Sequence, residues 1–151
     1  MSKNAYTKLG VMAALSFVAM YLLMYAMVDR YSNVYPQLSQ AYMAGLMTAP
    51  MVLFELMLMR AMYENGRRNA WIATTAVLAA LACFVMIRRQ VAISDEQFLK
   101  SMIPHHAAAL LMCERAPTED PDVEDLCRRI LLSQQSEIDE MKAKLEELRS
   151  D

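Results

Sequence analysis

Three long apolar runs constrain this chain more than any other feature. Leu9 to Val28 is twenty residues without a charge, Ala41 to Met62 is nearly as apolar, and Ala70 to Ile87 is eighteen residues without a charge. Each approaches the ~20 residues an α-helix needs to cross ~30 Å of hydrocarbon. The sequence therefore predicts three transmembrane helices, over residues 9–28, 41–62 and 70–87, with a lipid bilayer as partner. A signal peptide is the competing reading of the first run, but no small-residue cleavage site precedes a soluble domain and two further spans follow. Tyr31, Tyr35, Tyr42, Tyr63 and Trp71 fall at or near the expected span ends, the depth that amphipathic rings prefer.

Charge divides the chain at the same place. Residues 1–90 carry eight Lys/Arg and three Asp/Glu, whereas residues 91–151 carry seven and fourteen. We expect a membrane domain over 1–90 and an acidic soluble domain over 91–151. With three spans, Lys3, Lys8, Arg60, Arg67 and Arg68 share one side, against Arg30, Arg88 and Arg89 on the other. The bias of five to three predicts a cytoplasmic amino terminus and a carboxy-terminal domain outside the cytoplasm. In a two-membrane bacterium that is the inner membrane, with the tail in the periplasm, where disulfides persist. The net negative tail would be repelled by phosphates, which excludes nucleic acid as a partner. No nucleophile and base motif or cofactor fingerprint is present, so no enzyme is expected.

Beyond Ile93 the pattern is that of water-soluble helices, making the chain all-α. Ser94 with Gln97 forms a capping-box signature that starts a helix over 95–115. Asp120 and Pro121 start a second, over 121–148. Val123, Cys127, Ile130, Gln134, Glu137, Met141, Lys144 or Leu145, and Leu148 recur at four and three spacing. This predicts an antiparallel helical hairpin with a heptad-like seam.

The first of these helices carries FLKSMIPHHAAALLMCERA, which holds the chain's two histidines. Met102 stands one turn before His105 and His106, and Pro104, lacking an N–H, is expected to bend or loosen the helix there. A turn centred near Glu119 and Asp120 would set His105 against Gln134, Met102 against Glu137, Met112 against Cys127 and Phe98 against Met141. Imidazole with thioether selects copper, especially Cu(I), over magnesium or calcium. His105 and His106 are thus candidate ligands with Met102, and Met112 or Met141 as further thioethers. Gln134 and Glu137 would orient the imidazoles or bind occasionally. The plain alternative is a polar helix interface with methionine as flexible filler.

FLKSMIPHHAAALLM followed by LLSQQSEIDEMKAKL resembles the bacterial domain-of-unknown-function 305 family over about residues 95–148. The resemblance implies a ferritin-like helical fold outside the cytoplasm and, for some members, copper binding and copper tolerance. It carries over Met102, His105, His106, Met112, Gln134, Glu137 and Met141 as site positions. Many such proteins have two hairpins whereas this tail has one, so a homo-oligomer is expected, most simply a dimer completing a four-helix bundle.

In the second run Met43, Met47, Met51, Glu55 and Met59 recur every four residues, and Met12, Ser16, Met20 and Met24 repeat the theme in the first. Stacked thioethers could hold or pass Cu(I), and the spacing is similar to that of Ctr-type copper transporters. A methionine facing lipid is otherwise simply apolar. Glu55, costly inside a span, marks a polar spot with Pro50, or pairs with Arg60. Cys83 lies in the third span. Cys113 and Cys127 fall opposite each other near the hairpin turn, as a disulfide or as two thiolate ligands.

Three functions follow from these features. The first is a membrane-anchored copper-binding protein for extracytoplasmic sequestration or handling. The second is an oligomerising interaction module without metal. The third is a ferritin-like metal oxidase, for which the required Glu-x-x-His spacing is absent from the sequence.

Overall fold

The computed structural model describes residues 2–150, with side chains from residue 4 onward. Lys3, one of the cations counted for orientation, therefore lies outside the described side chains. Five α-helices follow in order: α1 Ser2–Leu23, α2 Leu38–Leu58, α3 Gly66–Arg89, α4 Asp95–Arg115 and α5 Pro121–Ser150. Two short 3-10 turns, Met24–Met27 and Tyr31–Asn33, lie between α1 and α2. No strand occurs among the described residues.

The chain divides into two compact units. One comprises residues up to Met24 together with Ser39–Val91, and the other Tyr25–Leu38 together with the residues from Ala92 onward. The segment between α1 and α2 thus belongs with the hairpin unit. Its Val28 and Tyr35 pack on the hairpin core, and Leu38 N–H donates to Gln97 Oε1 at 3.1 Å.

In the first unit α1 to α3 are each long and apolar enough to cross a membrane. They meet through Ala5 and Leu9 of α1, Ala49, Val52 and Leu56 of α2, Ala76 of α3, and Tyr63. Large apolar side chains point outward instead, Leu58 being 76% exposed and Leu15 65%. In water such a surface would be an aggregation hazard; in lipid it is ordinary. Small contact residues let the backbones approach closely. At Gly45 a Cβ would lie 2.9 Å from Cys83 Sγ.

α2 continues through Pro50 and α4 through Pro104. The single helix expected over 95–115 thus runs unbroken through Pro104. The proline removes one N–H and leaves the Lys100 carbonyl without its helical donor, while the neighbouring turns continue.

The hairpin is built on Ile103, Ala107 and Leu110 of α4 against Ile138 and Leu145 of α5. Ile103, Ile138 and Leu145 are fully buried, each contributing roughly 1.5–3 kcal/mol by removal from water. Leu131, Ile138 and Leu145 recur every seven residues, with Met141 beside them. The seam keeps the expected Met141 and takes Leu145 of the expected Lys144 or Leu145, but runs one position beyond the expected Ile130 and Glu137, so Glu137 sits at its flank. The Ser94 hydroxyl accepts from Gln97 N–H, and Asp120 Oδ1 accepts from Asp122 and Val123 at 2.9 and 3.2 Å. These satisfy first-turn donors of α4 and α5.

Cys113 and Cys127 form a disulfide beside the turn, with Cα atoms 5.2 Å apart. Closing so short a loop stabilises the hairpin by about 3 kcal/mol. At the far end Glu96 meets Lys100 at 2.7 Å and Arg149 at 3.3 Å, joining the start of α4 to the end of α5.

Candidate metal site on the hairpin

His106 follows Ile103 by three residues and precedes Leu110 by four, so it falls on the buried stripe of α4. It is 8% exposed. His105, one step of about 100° around the helix, is exposed. The two rings stand edge to face with centroids 6.0 Å apart. The adjacent histidines are therefore not equivalent.

Both nitrogens of His106 are engaged. Nδ1 lies 2.9 Å from the Met102 carbonyl oxygen, and Nε2 lies 2.8 Å from Glu137 Oε2. The carbonyl only accepts, as does an ionised carboxylate, so the ring bonds both at once only when each nitrogen carries a hydrogen. Ser133 donates its hydroxyl to Glu137 Oε1 at 2.7 Å, fixing the carboxylate from the other side. That hydroxyl, followed by His106, holds the Glu137 carboxyl below its ordinary range, against partial desolvation that acts in the opposite direction.

The register differs from the expected pairing by a few residues: Glu137 faces His106, where Met102 was expected. Since α4 and α5 run antiparallel, the residue one turn before His106 and the residue one turn after Glu137 reach the same level. Those residues are Met102 and Met141, both partly buried, and Met141 packs on the hairpin core. Helix register thus sets Met102 and Met141 at neighbouring levels beside the His106 and Glu137 pair, with His105 on the outer side. Met112 stands apart, 57% exposed and about 9 Å further along the helix axis. Gln134 is half-buried on α5, about one turn before Glu137, and the expected His105 to Gln134 pairing is replaced by His106 to Glu137. Cys113 and Cys127 are paired with each other, which removes them as thiolate ligands in this form. Ser133 was not anticipated, although its spacing of four from Glu137 is legible in the sequence.

Among the described residues, no three His, Cys, Asp or Glu side chains gather in a group able to hold a metal ion. An ion held by this hairpin would therefore draw on thioethers or on a second chain. The donor chemistry fits a soft ion in that sense. A metal-binding imidazole usually donates its other N–H to a carbonyl or carboxylate, and the Met102 carbonyl already occupies Nδ1.

The methionine ridge of α2 does not line an interior path. Ala44, Thr48, Val52 and Leu56 form the buried ridge, while Met43, Met47 and Met59 are exposed and Met51 is half-buried. Glu55 accepts from the Tyr63 hydroxyl at 3.2 Å, and this contact, not Arg60, satisfies its carboxylate. Tyr63 is itself held in a polar cluster that the sequence did not suggest. Tyr6 donates to Asn69 Oδ1 at 2.7 Å, Asn69 Nδ2 donates to the Tyr63 carbonyl at 2.8 Å, and the two tyrosine rings lie 5.4 Å apart.

Fold and site define an all-α protein that joins three helices of membrane-crossing length to a disulfide-closed hairpin bearing an imidazole and carboxylate pair. The chain belongs to the family described as Domain of unknown function (DUF305), whose model matches residues 59–145. That stretch covers the hairpin site and also takes in α3, so it begins nearer the amino terminus than the motifs alone suggested. The chain is also 33% identical over 140 residues to "Uncharacterized protein L153" of Acanthamoeba polyphaga mimivirus, an alignment covering 91% of this chain and 90% of that protein. Both the apolar half and the hairpin are therefore shared with a viral relative. No solved structure matches the chain.

Proposed function

We propose that this protein is a membrane-anchored copper-binding protein whose hairpin sequesters or passes copper outside the cytoplasm, without catalysing a reaction. The observation that carries the reading is the buried His106, with Nδ1 on a backbone carbonyl and Nε2 turned to Glu137. A copper ion on Nε2 would replace the hydrogen there and leave the Nδ1 contact in place, with Glu137 moving aside or joining as ligand. Met102 and Met141 supply thioethers that favour Cu(I), and His105 offers a second imidazole on the solvent side.

The Lys/Arg bias supports an extracytoplasmic hairpin, as does the Cys113 and Cys127 bridge, which persists in oxidising surroundings. In a bacterial cell this would put the hairpin in the periplasm and α1 to α3 in the inner membrane. Exposed Leu126 and Leu132 on α5 support a second copy of the chain on the hairpin, most simply a dimer completing a ferritin-like four-helix bundle.

The rival reading is an oligomerising interaction module. It is favoured by the fact that His106 already has a partner at each nitrogen and so ties α4 to α5 without metal. Copper titration of the full-length protein in detergent, free of any polyhistidine tag, separates the two. Saturable binding that disappears in His105→Ala/His106→Ala supports copper handling. Binding that is absent, or equal in the variant, supports the module.

A further inference from the structure

Among α1, α2 and α3 lies an apolar cavity of about 560 Å³ that takes no part in the hairpin site. Its lining mixes small residues, Gly10 and Ala13 on α1 and Ala79 on α3, with larger apolar ones, Phe17, Val52 and Ile72. The space lies beside the close helix contacts at Gly45, Ala49 and Ala76. Tyr6 and Trp71 line the end where α1 and α3 begin, and Trp71 is 69% exposed, as a ring at the membrane interface would be.

That end is also cationic. Lys8, Arg60, Arg67 and Arg68 are all exposed there. The nearby acids are Glu64, and Glu55, which is engaged by Tyr63. Arg67 precedes Trp71 by four residues and Arg68 precedes Ile72 by four, so both lie on the helix face that lines the cavity. The Arg68 guanidinium stands 5.6 Å over the Tyr6 ring, which holds a cation at the cavity mouth. The first turn of α3 adds partial positive charge in the same place.

We propose that this cavity holds an acyl chain of one anionic phospholipid whose phosphate meets Arg67 and Arg68. Charge argues against a helix from a second copy. A copy inserted in the same orientation would bring the same cationic end to the same level, setting like charges against Lys8, Arg60, Arg67 and Arg68, whereas an anionic lipid neutralises them. The cations select an anionic headgroup over a zwitterionic one.

The test is reconstitution of the full chain into vesicles of equal phosphatidylcholine and phosphatidylglycerol, followed by mild detergent extraction and native mass spectrometry. Wild type should retain one phosphatidylglycerol per chain, enriched over phosphatidylcholine by about fivefold for each arginine that reaches the phosphate. Arg67→Gln/Arg68→Gln should bring the retained lipid to the vesicle ratio, and Ala13→Leu/Ala76→Leu should retain none. The arginines are exposed, so their substitution leaves the fold intact and decides the matter even if the cavity-filling variant misfolds. Wild-type lipid retained at the vesicle ratio overturns the proposal. So does a lipid-free dimer that Ala13→Leu/Ala76→Leu breaks apart.

Discussion

At the scale of single residues, two neighbouring histidines divide one task unequally. His106 is fixed at both nitrogens by Met102 and Glu137, and His105 is left to solvent. The sequence showed both imidazoles but not which of them turns inward. That depended on Ile103 and Leu110 setting the buried stripe, and the spacing was readable only once Ile103 was known to be core. The Glu137 carboxyl makes a prediction of definite sign. Its pKa in the fold lies below the ordinary 4.5, so its stabilising contribution is complete above that value and is lost as pH falls through the lowered one. Glu96, lowered by Lys100 and then Arg149, acts in the same direction. Glu137→Gln should therefore flatten the acid limb of stability below about pH 4.5, measured as melting temperature against pH for the full chain in detergent. Superimposable acid limbs for wild type and variant would contradict the assignment.

At the scale of elements, what was legible followed the strength of each local signal. Three apolar runs, two helix caps and the cysteine spacing all have direct physical causes within a few residues. The hairpin seam does not, because Ile130 and Leu131 are equally apolar and a straight helix drifts against a seven-residue repeat. The seam settled on Leu131, Ile138 and Leu145, and the neighbouring Glu137 became available to His106. Ile138→Ala should then cost about 2–5 kcal/mol of stability, whereas Glu137→Ala should cost less, since its half-exposed carboxylate gives up only the hydrogen bonds from His106 and Ser133. Chemical denaturation of the two variants reads the difference, and a larger loss for Glu137→Ala would return the seam to its expected positions. In the apolar unit, Gly45→Ala drives a Cβ to 2.9 Å from Cys83 Sγ. We expect that variant to melt lower than wild type and Cys83→Ala to restore it. An additive double variant would show that α2 and α3 do not meet there.

At the scale of the molecule, the chain joins two units with different solvents. The apolar unit has many of its large side chains outside, and the hairpin unit has a small core, with Ile103, Ala107, Ile138 and Leu145 fully buried, closed by a disulfide. Family membership extends through α3, and similarity to the viral relative covers 91% of this chain. The apolar unit is therefore as much a part of this architecture as the hairpin. The methionine ridge of α2 lies mostly on exposed apolar surface, with Met43, Met47 and Met59 facing outward. Its repeat of four is real, but α2 buries the adjacent ridge of Ala44, Thr48, Val52 and Leu56. The thioethers that matter to the proposed function are instead Met102 and Met141, which only the antiparallel register brings level.

The most direct measurement is X-ray absorption at the copper edge of the full-length protein loaded with one equivalent of Cu(I). The result expected is mixed imidazole nitrogen and thioether sulfur around the metal, with the sulfur lost in Met102→Leu/Met141→Leu and the copper itself lost in His106→Ala. A first shell without sulfur, or copper retained unchanged in His106→Ala, would contradict a site built on His106, Met102 and Met141.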